Sequence, residues 1–196
     1  MERFFIIFFT LLIAYGCTNF KIIPARPYVD IEPSNEVLVT EVKYNNIWDR
    51  IFKENNFVDD PLPDETERYI KRFIKNKRHF NELILNGEYY LFEVLEELDR
   101  YRLPSEFALL PYIESNYDPF SISSSGAVGL WQLMPTTGKI YNLEKTWWVE
   151  GRHDPIESTK AAVKYLAYLY NRFDRDPTLT LIAYHAGPTY LEKQIR

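Results

Sequence analysis

The stretch between Gly87 and Pro104 constrains this chain most. Its apolar residues Leu91, Val94, Leu95, Leu98 and Tyr101 fall at i, i+3, i+4, i+7 and i+10, which gives one apolar face to a helix. Similar runs flank it, each bounded by Pro or Gly. Asp64 can cap a helix whose apolar positions include Ile70, Phe73, Ile74, Phe80 and Ile84, with Gly87 as its stop. Pro104 opens a third helix, Ser105 to about Ser115, with Phe107, Leu110 and Ile113 inward and a kink or break at Pro111. Residues 116–130, rich in Ser, Gly and Asp-Pro, read as loop, and Pro135 starts a short helix. Asp154-Pro155-Ile156-Glu157 supplies an acceptor, a proline and a glutamate in capping order, ahead of a helix presenting Ala162, Tyr165, Leu166, Leu169 and Phe173. Asp176-Pro177 begins the last helix and Gly187 ends it. Strand signals are nearly absent. The expectation is a mainly α domain of roughly seven helices over residues 64–196.

The residues ahead of that domain differ. Residues 4–16 form an uncharged apolar run, shorter than the roughly 20 residues a bilayer-spanning helix needs, so residues 1–16 read as a signal peptide. Ala14-Tyr15-Gly16-Cys17 resembles the lipobox of bacterial lipoproteins, which implies lipidation of Cys17. Thr18 and Asn19 follow, with no Asp, which in such proteins favours the periplasmic face of the outer membrane; secretion to the periplasm is the alternative. Residues 17–63, punctuated by prolines 24, 27, 33, 61 and 63, read as a tether and irregular lead-in, with a short amphipathic helix over Trp48–Phe57.

A net charge of −5 argues against nucleic acid as a partner. One cysteine and three well-separated histidines (His79, His153, His185) make a metal site unexpected. Aromatic residues, 16 % of the chain, suit a firm core and also a sugar-binding cleft.

Glu114 follows Leu109-Leu110-Pro111-Tyr112-Ile113 at a helix end. A carboxyl group in apolar surroundings resists ionisation, and a protonated carboxyl group is what protonates the departing oxygen of a glycosidic bond. The stretch from Leu103 to Pro119, containing Leu110-Pro111-Tyr112-Ile113-Glu114-Ser115-Asn116-Tyr117, is followed by Ser123-Ser124-Ser125-Gly126-Ala127-Val128-Gly129-Leu130-Trp131-Gln132-Leu133-Met134-Pro135. Together they resemble the two signature motifs of the lytic transglycosylases of the soluble-lytic-transglycosylase type, and Asn86-Gly87-Glu88-Tyr89-Tyr90-Leu91-Phe92 is similar too. The resemblance covers roughly residues 65–190 and implies a lysozyme-like catalytic domain.

The resemblance implies roles position by position. Glu114 would be the acid and then the base. Ser115 would support the end of its helix, and Ser123 would touch the substrate near the reacting muramic acid. Gln132 and Met134 would line the cleft. Ala183-Tyr184-His185-Ala186-Gly187 matches a third motif, where Tyr184 would reach toward Glu114 or the sugar. The family usually carries Asn at the position of His185; histidine too can donate or accept a hydrogen bond. The activity implied is cleavage of peptidoglycan glycan strands with formation of a 1,6-anhydro end, by a monomer with no metal or organic cofactor. The family usually continues with another helical segment and often with wall-binding repeats. The chain ends nine residues after Gly187, so its domain is expected to be incomplete at the C-terminal end.

Rival readings are a hydrolase similar to goose-type lysozymes and a non-catalytic, peptidoglycan-binding lipoprotein. A two-carboxylate hydrolase would need a partner for Glu114, with Asp118 and Asp154 as candidates; Asp118 suits an Asp-Pro turn and Asp154 a helix cap. The basic cluster Lys71, Arg72, Lys75, Lys77 and Arg78 reads as a solvated helix face. Trp147-Trp148 could be an aromatic sugar platform, with core packing favoured.

Overall fold

The computed structural model describes residues 46–53, 70, 71, 75 and 77–195. The expected signal peptide, Cys17, the Asp64 cap, Phe73 and Ile74 lie outside the described residues. Among the described residues eight α-helices have both ends placed: α1 (Ile47–Ile51), α2 (Lys77–Gly87), α3 (Leu91–Arg100), α4 (Leu110–Glu114), α5 (Pro135–Ile140), α6 (Pro155–Arg172), α7 (Pro177–Ala186) and α8 (Pro188–Gln194). Two 3₁₀ turns, Ser105–Leu109 and Gly151–His153, lie among the described residues as well. Among the described residues pairing is limited to isolated antiparallel bridges, such as Val128 with Ile122 and Leu133. Among them, too, no helix is long and apolar enough to cross a membrane.

The apolar stripe of α3 behaves as its spacing predicts. Leu91, Val94, Leu95 and Leu98 are all buried, each fully buried leucine contributing about 1.5–3 kcal/mol. They pack with Phe107, Leu110, Ala162 and Leu166 into one core that brings α3 against the 3₁₀ turn and α6. A smaller cluster, Leu169, Phe173, Ala183 and Leu191, joins the end of α6 to α7 and α8. Near the start of the described chain, Asn46 caps α1 by accepting from the Asp49 amide. Arg50 then pairs with Glu96 and Asp99, both at 2.7 Å, tying α1 to α3.

Three boundaries differ from the expected ones. The third helix splits: a 3₁₀ turn runs to Leu109 and α4 begins at Leu110, with Pro111 in its first turn, where a missing amide hydrogen costs nothing. The chain does not stop being helical at Gly187. That glycine, at φ +88°, turns the chain, and Pro188 at once starts α8. The helix expected over Trp48–Phe57 begins one residue earlier and ends at Ile51. The remaining caps hold: the Asp154 carboxylate accepts from the amides of Ile156 and Glu157, and Asp176 accepts from Leu179.

Candidate active site

Glu114 is the last residue of α4, a helix short enough that its neighbours must fix it. Tyr112 does so on one side. Its hydroxyl donates to the Ile84 carbonyl, and its ring comes so near Gly87 that a Cβ there would lie 2.1 Å from the hydroxyl oxygen. Gly87 therefore serves close packing as well as ending α2. After Ser115 the backbone enters the left-handed region twice in succession, at Asn116 (φ 57°) and Tyr117 (φ 59°). Two non-glycine residues there store strain, of order 1–3 kcal/mol each, which the surrounding structure has to hold. Tyr117 is buried and donates to the Ala108 carbonyl at 2.7 Å, and Asp118 then accepts from the Phe120 amide. Asp118 is thus the turn residue its Asp-Pro sequence indicated.

The loop from Ser121 to Met134 folds back over the end of α4. Ser115 makes the join: its hydroxyl lies 2.7 Å from the Leu130 carbonyl and 3.3 Å from that of Pro111. Ser123 accepts from the Ala127 amide and sits 3.0 Å from the Ser125 hydroxyl. Gln132, at φ 48°, donates its amide to the carbonyls of Gly129 and Ser121. Met134 is half-buried and precedes α5. Among the described residues neither Ser123 nor Met134 hydrogen-bonds to Glu114.

Beneath the loop lies a residue that the sequence reading did not single out. Arg152 is buried, and its guanidinium donates to both carboxylate oxygens of Glu150 and to the carbonyls of Gly126 and Leu133. Its own carbonyl lies so close to Gly129 (φ +81°) that a Cβ there would be 2.0 Å from it, so position 129 admits glycine alone. The hydrogen bonds from Arg152, first, and Lys145 hold the Glu150 carboxyl at about 2. Next in sequence, His153 Nδ1 lies 2.7 Å from the Pro119 carbonyl. No periodicity marks Arg152; a Glu-Gly-Arg triplet beside a capping aspartate was the sole trace of it.

α7 closes the site from the other side. The Tyr184 hydroxyl donates to the Trp131 carbonyl at 2.8 Å, while the buried Trp131 indole donates to Thr159 on α6. Trp131 is thus core. Burial, and then the charge of Glu114, push the Tyr184 phenol well above its ordinary range, so it stays a neutral donor. His185 Nδ1 lies 3.7 Å from Glu114 Oε1, with the two side chains 26 % and 15 % exposed. The structure therefore gathers Glu114, Ser115, Tyr184 and His185 at one place, with Gln132 in the loop above.

Two expectations turn out differently. The preference for core packing of Trp147 and Trp148 is overturned: both lie in the polar segment between α5 and α6, 83 % and 71 % exposed, their ring centroids 3.7 Å apart. Asp154 is occupied as the cap of α6, so it is no second catalytic carboxylate.

The transglycosylase SLT domain family matches residues 94–196, just over half of the chain and all of the site. The chain belongs to this family. Its mainly helical, lysozyme-like architecture is that of the SLT domain. Over 136 residues the chain is 32 % identical to membrane-bound lytic murein transglycosylase D of Escherichia coli (strain K12), covering 69 % of this chain and 30 % of that protein. Over 101 residues it is 39 % identical to a protein named for tributyltin chloride resistance in Alteromonas sp. (strain M-1), covering 52 % of this chain and 49 % of that protein. The matched part thus spans less than half the length of either relative. The SLT match runs from within α3 to the end of the chain, so Glu114, the motif loop, Arg152, Tyr184 and His185 all lie in it.

Proposed function

We propose that this SLT domain is a lytic transglycosylase of peptidoglycan. It would cleave the β-1,4 bond between N-acetylmuramic acid and N-acetylglucosamine without water. One observation carries the reading: the Glu114 carboxylate stands at the end of α4 in a family-matched site, half enclosed by Tyr184, His185 and the motif loop. A carboxyl group so placed gives its proton to the bridging oxygen as the bond to C1 breaks. The resulting carboxylate then takes the proton of the C6 hydroxyl on the same muramic acid, whose oxygen bonds to C1. The proton is back on Glu114, and the product ends in a 1,6-anhydro ring. Attack from within the same sugar has a high effective concentration, so no second carboxylate has to position a water.

The other residues follow in the same reading. Ser115 and Tyr184 fix the frame around Glu114 through the carbonyls of Leu130 and Trp131, while Ser123, Gln132 and Met134 contact the glycan. Residues 64–196 form the catalytic domain. Lipidation of Cys17 would hold the protein, as a monomer, at the periplasmic face of the outer membrane, within reach of the wall. The relative from Escherichia coli is itself named as membrane-bound and acting on murein, which supports a place in the cell envelope.

The test is digestion of intact peptidoglycan by the purified protein, with released fragments weighed by mass spectrometry. Anhydro-muramyl ends are expected, and Glu114→Gln should lower their release by about a thousandfold, since loss of a general acid–base group costs roughly 10²–10⁴ in rate. Reducing ends instead would make the protein a hydrolase. Retained wall binding with no product would make it a glycan-binding protein.

A further inference from the structure

The reaction proposed above asks two opposite things of Glu114: to hold a proton when the glycan arrives, and to take one back a step later. His185 bears on both. It sits in the last turn of α7, where the helix dipole favours a cation, with Nδ1 3.7 Å from Glu114 Oε1. That distance is too long for a hydrogen bond and well within the reach of an ion pair. Among the described residues no other cationic side chain lies within 4.0 Å of the Glu114 carboxylate. A second titratable group against it is Tyr184, backed by Tyr165 of α6 and by Tyr141 after α5. These phenols stay neutral near neutral pH, so the imidazole is the group whose charge can change beside Glu114.

We propose that His185 is a positioning residue that makes the activity sensitive to pH, its protonated imidazole holding Glu114 as a carboxylate and so withdrawing it from acid catalysis. An opposite charge within about 4–6 Å favours the charged form of a carboxyl group. The imidazolium therefore lowers the population of protonated Glu114, and it also weakens the carboxylate as the base of the second step. The neutral imidazole does neither. No bond is made or broken at His185, and one proton, exchanged with solvent, sets the state. Asparagine, the residue usual at this position in the family this sequence resembles, hydrogen-bonds but takes up no proton, so it cannot act in this way. A residue at which this site departs from the familiar motif thus gives it a response to acidity.

Two measurements test this. The first is kcat/KM on peptidoglycan fragments from pH 4.5 to 8.5 for the wild type, His185→Asn and His185→Gln. The ratio of wild type to either variant should be level above the imidazole range and fall by about threefold to tenfold below it. The second follows the His185 ring signals by NMR in the wild type and Glu114→Gln. The coupling is reciprocal, so removing the carboxylate should move the ring's titration to lower pH. A ratio that stays level across the range overturns the proposal. So does a ring titration indifferent to Glu114→Gln, and that arm decides even if the protein proves to cleave no glycan at all.

Discussion

The α3–α6 pair and the loop from Ser121 to Met134 both serve Glu114 and share one core, but the loop depends in addition on polar ties. α3 and α6 meet through Leu95, Leu98, Ala162 and Leu166, with the hydrophobic effect supplying the attraction and backbone polar groups satisfied within each helix. The loop has backbone bonds of its own, such as those between Val128 and Leu133, and it sinks Leu130, Trp131 and Leu133 into the same core, but it is also tied from outside by polar side chains. Its carbonyls at Gly126, Leu130, Trp131 and Leu133 are taken by Arg152, Ser115 and Tyr184, residues contributed by three other parts of the chain. The helical pair is a layer that many apolar sequences would build. The loop needs, besides its buried Leu130, Trp131 and Leu133, a few polar side chains from outside that hold its carbonyls, and the site's geometry depends on them.

The largest effect should come from breaking that imposition. Arg152→Met keeps the volume and the aliphatic stem but removes the guanidinium from the carbonyls of Gly126 and Leu133, and leaves the Glu150 carboxylate with Lys145 alone. Loss of one partner from a buried pair costs 3–5 kcal/mol, so the free energy of opening the loop should fall by about 4 kcal/mol. Amide exchange at Gly129 and Leu133 should quicken by roughly three powers of ten, with α3 and α6 little changed. Exchange that quickens evenly over the whole molecule would erase the distinction between the two regions.

The same contrast governs what was legible in the sequence. Periodicity is a local property, so α3 was readable from Leu91, Val94, Leu95 and Leu98, and α6 and α7 from the aspartate-proline pairs that cap them. Glu114, Ser115, Tyr184 and Gln132 were readable through the motifs they sit in, and the structure places all four around the end of α4 or in the loop over it. Arg152 was not, because its partners in the loop are 19 and 26 residues away and are backbone carbonyls, which leave no trace in side-chain type, while its near partner Glu150 reads as one more surface charge. α8 was missed for a related reason: Gly187 is a sound stop for α7, but nothing in a stop signal forbids Pro188 from starting again in a new direction. The exposure of Trp147 and Trp148 escaped because residue type predicts burial only on average.

A smaller effect sharpens the comparison from the other side. Leu98→Ala removes a fully buried side chain from the face of α3 that meets the 3₁₀ turn and α6. Such a deletion costs 2–5 kcal/mol, and about 3 is expected here. Because the core is shared, the loss should appear as a single lowered midpoint in chemical denaturation, with the slowest-exchanging amides of α3 and α6 accelerated together. If the loop alone loosened, the leucine would belong to the site and not to the scaffold.

The smallest effect is set by pH and falls on the loop alone. Glu150 titrates at about 2 in the folded chain against an ordinary 4.5, because Arg152 and then Lys145 hold its carboxylate. A carboxyl group whose folded value is depressed lends stability in full above the ordinary value and loses it as the pH falls through that range. The loop should therefore be firm at pH 5 and above and loosen between about 4.5 and 2. At full weight the separation is worth roughly 3 kcal/mol, and solvent screening of a carboxylate that is 23 % exposed reduces this to about 2. Amide exchange at Gly129 and Leu133 in acid, compared with α3, measures it. Arg152→Met should reduce the acid dependence to the smaller part that Lys145 supplies, as well as weaken the loop, since the larger cause is gone. If the variant loosens in acid as much as the wild type does, the acid response comes from some other carboxylate, and Glu150 is not the group that ties the loop's stability to pH.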